Sequence, residues 1–327
     1  MTAKGRGRAA RVPVRAIAVP TPFPVGPVNV YLIAADPVTL VDTGPMTDEA
    51  YGAVERGLAR EGLRIADLKR ILLTHGHQDH FGLARRLVDA SGAVLIGARL
   101  DRRHFRCERR MKRLLDEMAR SGYGIPSRLA VVVAVAAVER FAEPPHSWEE
   151  LEGGETLKGD GWSLSVLSTP GHTPGCLIFT LPEAGVAFSG DTVLKEITPN
   201  AIVDEDPERP GTPFRSLSRY FETLDLLEHE AEGLTLLTGH GAPVEDFAAH
   251  HRHLRALYAR RISRIEAALS AGPRTSRQLV EAIFPRVSTL NVFLAWSEVV
   301  GFLMYLEDLG RVEKSDGGPL DRYRLVG

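Results

Sequence analysis

Between residues 14 and 98, short apolar runs alternate with longer stretches whose apolar residues recur at helical spacing. The runs VNVYLIA (residues 28–34) and VTLVDTG (residues 38–44) are rich in β-branched residues and predict strands. Residues 47–62 have helical spacing, and Thr47 is suited to be the N-cap of that helix. A third strand, a helix closed by glycine and a fourth strand follow. This β–β–α–β–α–β order predicts a layered α/β fold.

The pattern changes over residues 99–142. The first part is rich in arginine and has helical spacing, and the second part, SRLAVVVAVAAVERF, consists mainly of small apolar residues. We interpret these residues as a helical insertion that could serve as a lid. A second α/β run follows, with the strand-like segments GWSLSVLS, CLIFTL, AGVAFSG and GLTLLTG.

The last part of the chain has the pattern of a small helical unit. Residues 245–270 predict a long helix, residues 275–284 and 291–310 predict two more, and residues 311–327 form two alternating runs around a DGG turn, which is typical of a hairpin. Three helices and a hairpin indicate a winged-helix-like domain. We therefore predict two domains, residues 1–250 and residues 251–327.

Composition narrows the class of protein. The 327 residues are 44% hydrophobic and 25% charged, with a net charge of −2, so no overall field attracts nucleic acid or a membrane. The two cysteines, Cys107 and Cys176, are too far apart in sequence for a CxxC motif, which excludes a thiolate zinc knuckle. The chain has no run of about 18 apolar residues and no apolar leader after its basic start. We expect a cytoplasmic protein without a membrane segment.

The candidate chemistry lies where apolar strands end. The segment ILLTHGHQDHFG places three histidines and an aspartate within six positions, and single histidines or aspartates follow three later strands. Side chains from different strand ends can converge on an ion, whereas neighbours on one strand diverge. The candidate metal ligands are His75, His77, Asp79, His80, His172, Asp191 and His240. Seven ligands exceed the needs of one tetrahedral ion, while two ions sharing a bridging carboxylate would use all of them.

Five motifs resemble those of the metallo-β-lactamase-fold hydrolase superfamily over residues 14–245: Asp42 in VDTG, the HGHQDH segment, His172 in PGHTPG, Asp191 in SGDT and His240 in TGHGAP. The resemblance implies a four-layer αββα sandwich with two metal ions at one edge. It implies that His75, His77 and His172 hold the first ion, and that Asp79, His80 and His240 hold the second. Asp191 would bridge the ions, and Asp42 would orient a ligand histidine.

Two departures bear on the substrate. The best-known β-lactamases of this superfamily have a cysteine ligand where this chain has Asp191, and they lack a histidine at the position of His80. The motifs are more similar to glyoxalase-II-like thioesterases, lactonases and nucleases. The reaction implied is hydrolysis of a small ester, thioester or lactone by a hydroxide that two divalent ions share. Asp79 is the expected proton shuttle, and His240 is an alternative partner for the substrate oxyanion.

The residues leave the metal and some partners open. Zinc is the default for imidazole-rich sites with carboxylates, and iron or manganese would also fit. The alternative functions are a single-strand endoribonuclease or phosphodiesterase and a mononuclear iron persulfide dioxygenase. From Arg252 onward the chain has 12 Lys+Arg and 8 Asp+Glu, an excess of positive charge. The C-terminal domain could therefore contact nucleic acid or mediate a homo-oligomer.

Two weaker signals concern the substrate. The arginine-rich run at residues 99–113 could form a cationic rim for an anionic substrate, although such runs are more often solvated helix faces. Lys195 and Asn200, downstream of Asp191, are candidate substrate contacts.

Overall fold

A computed structural model describes residues 12–108, 111–286, 291–315 and 318–327. The strands are β1 (Val14–Val19), β2 (Val28–Ile33), β3 (Thr39–Val41), β4 (Arg70–Leu72), β5 (Val94–Ala98), β6 (Glu149–Leu151), β7 (Thr156–Gly159), β8 (Trp162–Ser168), β9 (Leu177–Leu181), β10 (Val186–Gly190), β11 (Thr235–Thr238), β12 (Val312–Ser315) and β13 (Arg322–Leu325). The helices are α1 (Asp48–Ala59), α2 (Gln78–Phe81), α3 (Ala84–Ser91), α4 (Arg102–Phe105), α5 (Met111–Arg120), α6 (Ile125–Glu139), α7 (Ser216–Glu230), α8 (Phe247–Leu269), α9 (Ser276–Ile283) and α10 (Val292–Asp308).

Two sheets form the centre of the molecule. The first has the strand order β1-β2-β3-β4-β5-β6 and the second the order β11-β10-β9-β8-β7. In the first sheet β1 to β3 are antiparallel, whereas β3 to β6 are parallel. In the second sheet only the β10–β11 pair is parallel. The parallel strands β3, β4 and β5 therefore all end at the same edge of the first sheet.

Three apolar clusters hold the layers together. Residues such as Leu72 and Phe179 fill the space between the two sheets. The helices α1 and α3 cover the outer face of the first sheet, with Leu58 and Leu87 in its cluster. The helices α7 and α8 cover the second sheet, where Leu224 is fully buried. This order of layers is the predicted αββα sandwich, and the predicted fold class is confirmed.

Local sequence signals explain the interior elements. The Thr47 hydroxyl accepts a hydrogen bond from the Ala50 N–H at 3.1 Å, so Thr47 is the N-cap of α1 as predicted. Gly92, with φ of 71°, ends α3 in the left-handed conformation that glycine adopts without strain. The edge strands β1 and β6 were not predicted. β6 reads Glu-Glu-Leu with both glutamates exposed, so it lacks the apolar alternation that identifies a strand.

Residues 99–142 contain α4, α5 and α6, which stand between β5 and β6 as a helical insertion would. The α6 residues Val131 and Val135 are buried in the same apolar cluster as α7 and α8. Although α6 is apolar, its 15 residues are fewer than the about 20 that a membrane-spanning helix needs. Within the described ranges, no helix combines the length and the apolar character needed to cross a bilayer.

The C-terminal residues form α8, α9, α10 and the antiparallel pair β12–β13. They share the apolar cluster of α7, in which Trp296 is almost fully buried. The Trp296 Nε1–H donates to the Ser121 Oγ at 3.0 Å, which joins α10 to the turn between α5 and α6. Because α8 begins at Phe247, the expected boundary near residue 250 falls in its first turn. That boundary and the winged-helix assignment remain predictions, and Asp316 and Gly317 of the predicted DGG turn lie outside the described residues.

Candidate metal centre

The structure brings all seven predicted ligands to one edge of the sandwich. They follow β4, β8, β10 and β11, so both sheets contribute, and two of them lie on the short helix α2 that starts after the β4 loop. The seven are His75, His77, Asp79, His80, His172, Asp191 and His240, whose ligand atoms fall into overlapping groups.

Three imidazoles converge in the first group. The Nδ1 atom of His77 lies 3.1 Å from the Nε2 of His75 and 2.9 Å from the Nε2 of His172. The ligand atoms of the three rings all lie within 4.8 Å of one another. Three nitrogens so arranged can occupy three positions of a tetrahedral ion.

The second group combines two imidazoles and a carboxylate. The Nε2 of His240 lies 3.2 Å from the Oδ2 of Asp79, and His80 completes a set whose ligand atoms also lie within 4.8 Å. His80 and His240 are buried, whereas Asp79 is partly exposed. Asp79 is thus the member of this group that solvent or a substrate can reach.

Asp191 lies between the two groups. Its Oδ1 is 3.4 Å from the Nε2 of His80, while its Oδ2 is 3.7 Å from the Nε2 of His172 and 3.8 Å from the Nε2 of His240. Oδ1 therefore faces the second group, whereas Oδ2 lies at similar distances from a nitrogen of the first group and a nitrogen of the second. A carboxylate in this position can contribute one oxygen to each of two ions.

The unpaired atoms at the centre fit a metal site. Among the described residues, the buried Nε2 atoms of His80 and His240 and the buried Oδ1 of Asp191 have no hydrogen-bond partner. Leaving a buried polar atom unpaired costs about 1 to 3 kcal/mol. Cations bound between these atoms would engage the lone pairs, and the nitrogen and oxygen donors suit zinc, iron or manganese.

Asp42 orients His80. Its Oδ2 lies 2.8 Å from the His80 Nδ1, and its two oxygens also accept hydrogen bonds from the Thr74 N–H and hydroxyl, each at 2.8 Å. The Nε2 of His80 is thereby directed toward the centre. This is the position that the sequence predicted for Asp42, beside a candidate ligand histidine.

Backbone carbonyls orient two further rings. The Nδ1 of His240 lies 2.8 Å from the Pro27 carbonyl oxygen, and the Nδ1 of His172 lies 3.2 Å from the Asn200 carbonyl oxygen. When these nitrogens donate, each Nε2 is left with a free lone pair that faces the centre. The loops after β1 and β10 thus fix the tautomers that a metal ligand requires.

Two glycines leave room for the ligands. A Cβ on Gly239 would collide with the Asp191 carboxylate and the His80 ring, and a Cβ on Gly190 would collide with the Thr74 hydroxyl. Gly190 also has a φ of 47°. The GHG segment therefore needs glycine because its backbone passes directly against two candidate ligands, and the SGD segment needs it because its backbone passes against Thr74.

Comparison with known proteins agrees with this geometry. The family model described as "Metallo-beta-lactamase superfamily" matches residues 23–266. The chain belongs to the metallo-beta-lactamase superfamily. Its membership and the convergent ligands make it a metal-dependent hydrolase, as the motifs predicted.

Individual relatives cover different parts of the chain. The probable metallo-hydrolase YqjP of Bacillus subtilis is 28% identical over 302 residues, which are 90% of this chain and 92% of that protein. The hydroxyacylglutathione hydrolase GloC of Haemophilus influenzae is 35% identical over 144 residues, 44% of this chain and 58% of that protein. The crystal structure of a metallo-beta-lactamase family protein from Thermus thermophilus is 30% identical, with a TM-score of 0.80, and covers 96% of this chain and 98% of that one.

The electrostatics of this superfamily site favour a bound cation. Burial, followed by repulsion from neighbouring imidazoles, lowers the pKa of His75 and of His77 well below the usual range, so both rings are neutral. Burial also opposes charge on His80, but the carboxylates of Asp191, Asp42 and Asp79 raise its pKa well above the usual range. A field that stabilises a proton on His80 also stabilises a metal cation beside it.

Asp101 was not identified from the sequence, although it ties two ligand loops together. This fully buried carboxylate accepts hydrogen bonds from the Gly76 N–H at 2.7 Å, the Thr173 hydroxyl at 2.7 Å and the Gly175 N–H at 2.8 Å. It therefore joins the HGH loop to the loop that carries His172. Asp101 follows the strand β5 closely, as Asp191 follows β10, but the arginines around it concealed that signal.

His104 is a second residue that the sequence did not reveal. Its Nε2 lies 2.9 Å from the Asp204 Oδ2, its Nδ1 lies 3.4 Å from the Asp101 Oδ1, and its ring centroid is 6.3 Å from that of His77. Burial opposes its charge, but Asp204 and then Asp101 raise the pKa of His104 to about 10. The superfamily site therefore has a protonated imidazole at its rim.

A cavity of about 660 Å³ opens beside the metal centre, and its wall includes His77, Asp79 and His104. Its size lies within the range of about 300 to 1,000 Å³ that is typical of small-molecule sites. Lys195 is exposed and is absent from the cavity wall. Asn200 contacts His172 through its backbone and donates its side-chain amide to the Leu294 carbonyl, so it positions the site. The structure does not support either residue as a substrate contact.

Proposed function

We propose that the chain hydrolyses an ester, thioester or lactone with two divalent ions bound at the described centre. His75, His77 and His172 would hold one ion, and Asp79, His80 and His240 the other. The observation that carries this proposal is the position of Asp191, whose Oδ1 faces His80 while its Oδ2 lies between His172 of one ligand group and His240 of the other. The imidazole-rich donor set favours zinc, and iron or manganese accept the same donors.

The protein side chains would share the work of hydrolysis. Bound divalent ions supply Lewis acidity that polarises a carbonyl oxygen and lowers the pKa of bound water from about 15.7 to about 7. Asp79 lines the cavity and lies 3.2 Å from His240, so its carboxylate is placed to accept a proton from the attacking water. His240 would donate a hydrogen bond to the substrate oxygen if His240 is not itself a metal ligand. Neither role needs a serine or cysteine nucleophile.

Two features support a carbonyl substrate. The relative GloC is named a hydroxyacylglutathione hydrolase, and an acylglutathione is a thioester. The cavity beside Asp79 is of small-molecule size and mostly apolar in its lining residues. Both features agree with a small acyl compound as substrate.

The ion pairs of three arginines argue against the nuclease alternative. A phosphate backbone is held by cationic side chains that are free to pair with it. Three arginines of the run at residues 99–113 already pair with carboxylates: Arg99 with Glu152 and Glu208, Arg102 with Glu150, and Arg103 with Glu205. These three side chains are therefore already paired with carboxylates of the protein, and the cationic rim considered from the sequence is not formed by them.

The test is a substrate panel run on protein purified without added metal. We expect hydrolysis of model thioesters, esters or lactones, loss of activity in chelator, and recovery when zinc, manganese or iron is restored. The same preparation is assayed with a phosphodiester and with single-stranded RNA, and for oxygen uptake with a persulfide. Chelator-resistant turnover would contradict the proposal, and so would metal-dependent cleavage of RNA without turnover of any acyl substrate.

A further inference from the structure

Most of the side chains that line the cavity beside the metal centre are apolar. At one end it reaches His77 and Asp79, where the reaction would take place. Apolar side chains of four separate segments also line it, among them Phe23 of the loop before β2, Leu114, Ala134 and Val135 of the insertion, Ile202 of the loop after β10 and Phe293 of α10. Such a lining gains free energy by excluding water from an apolar ligand.

Three cationic side chains of the wall are paired with carboxylates of the protein, and a fourth, Arg140, lies over the Phe141 ring. Arg103 lies 2.8 Å from Glu205, and Arg113 lies 2.9 Å from Glu117 and 3.5 Å from Glu205. His104 is paired with Asp204. An anionic ligand in the cavity would have to compete with these carboxylates, whereas an apolar chain would leave every pair intact.

We propose that this cavity binds an apolar acyl chain and selects thioesters or esters of medium-length acyl chains over those of acetate. The inference rests on the proposed function, because it places the acyl carbonyl at the metal end, near Asp79, and the chain between α5, α6 and α10. Water adds to the acyl carbon, the carbon–sulfur or carbon–oxygen bond breaks, and the leaving group takes a proton as the acid is released. No oxidant or reductant is required.

Chain length is the direct readout of the proposal. Acetyl, hexanoyl and decanoyl thioesters of N-acetylcysteamine share one leaving group and differ only in the acyl chain. Each methylene that moves from water into the cavity is expected to raise kcat/KM about fourfold. We therefore expect kcat/KM to rise steeply from acetyl to decanoyl. Equal kcat/KM values across the series would overturn the proposal.

Two alanines of α6 provide a matched pair of variants. Ala134 lines the cavity, whereas Ala136 lies on the exposed side of the same helix and does not line it. Ala134→Phe should lower kcat/KM for the decanoyl thioester by about tenfold or more and change that for the acetyl thioester by less than about twofold. Ala136→Phe should change neither. If Ala134→Phe does not fold, Ala137→Phe narrows the cavity one turn farther along α6.

A binding measurement separates this proposal from the proposed function. Isothermal titration of the protein as purified should show decanoate binding, with acetate as a control for the carboxylate alone, and Ala134→Phe should weaken decanoate binding. If decanoate binds in this way but no thioester is hydrolysed, the acyl site stands and the proposed reaction falls. If thioesters of every length are hydrolysed equally and decanoate binds no better than acetate, the reaction stands and the acyl site falls.

Discussion

At the scale of single residues, the candidate centre depends on side chains that hold the ligands in place. Asp42 is an example, because it adopts a φ of 60° and still directs both of its oxygens at Thr74 and His80. Aspartate and asparagine tolerate the left-handed region better than most residues. The sharp turn after β3 is what brings this carboxylate under His80, so the strained backbone and the orientation of the ligand belong together.

Asp42→Asn should weaken the binding of one metal ion without unfolding the protein. Asparagine keeps the backbone conformation, but it loses the charge that pairs with His80, and changes to such orienting groups typically lower metal affinity by about 10- to 100-fold. Zinc titration of metal-stripped protein measures the effect. The exposed Asp160→Asn serves as the control for a lost carboxylate. Unchanged affinity at both sites would show that Asp42 has no part in holding His80 for a metal.

The sequence was most informative about the ligands themselves. Few residue types bind metals, and the chain places them after apolar strands with glycine beside them, so the seven candidate ligands could be named one by one. Asp101 and His104 could not be identified in this way. Their roles depend on which loops meet in space: Asp101 accepts hydrogen bonds from residues 25, 72 and 74 positions away.

At the scale of elements, the insertion is anchored to the C-terminal helices. The Trp296 Nε1–H of α10 donates to Ser121, between α5 and α6, and lies 3.2 Å from the Ser276 Oγ at the start of α9. The Arg277 guanidinium donates to the Gly122 carbonyl at 3.0 Å. These contacts fix α5 and α6 over the cavity, so the C-terminal helices help to shape the proposed acyl site.

Trp296→Phe should destabilise the protein more than Trp148→Phe. Both changes remove an indole N–H, but the Trp148 Nε1 has no partner among the described residues, whereas that of Trp296 has two. The loss leaves buried serine hydroxyls unpaired and should lower the free energy of unfolding by about 1 to 3 kcal/mol more than the control does. Urea denaturation measures both variants. Equal losses would mean that these hydrogen bonds do not anchor the insertion.

The interior strands of the two large sheets were predictable, whereas the edge strands β1, β6 and β7 were not. The strands β2, β3 and β4 are buried and read as apolar runs, and α1 carries a recognisable N-cap. The edge strand β6 instead carries Glu150, which pairs with Arg102, so its sequence reflects an ion pair on the surface. The helices of the insertion were predicted, but their role as a cavity wall follows only from their packing.

At the scale of the whole molecule, the two-sheet sandwich brings segments that are distant in sequence together at one candidate site. The ligands come from residue 75 to residue 240, and they meet because strands of both sheets end at the same edge. The partners of charged side chains are what the sequence could not show at this scale. The arginine-rich run suggested a binding surface, yet Arg99, Arg102 and Arg103 pair with glutamates that are 48 to 109 positions away.

The central claim is that these segments enclose two ions bridged by Asp191, and metal analysis tests it most directly. Metal content per chain is measured by mass spectrometry on metal-replete protein after free metal is removed. The account predicts about two ions per chain for the wild type and about one for Asp191→Asn, with the exposed Asp160→Asn unchanged. One ion per chain in the wild type, or two ions retained by Asp191→Asn, would contradict it.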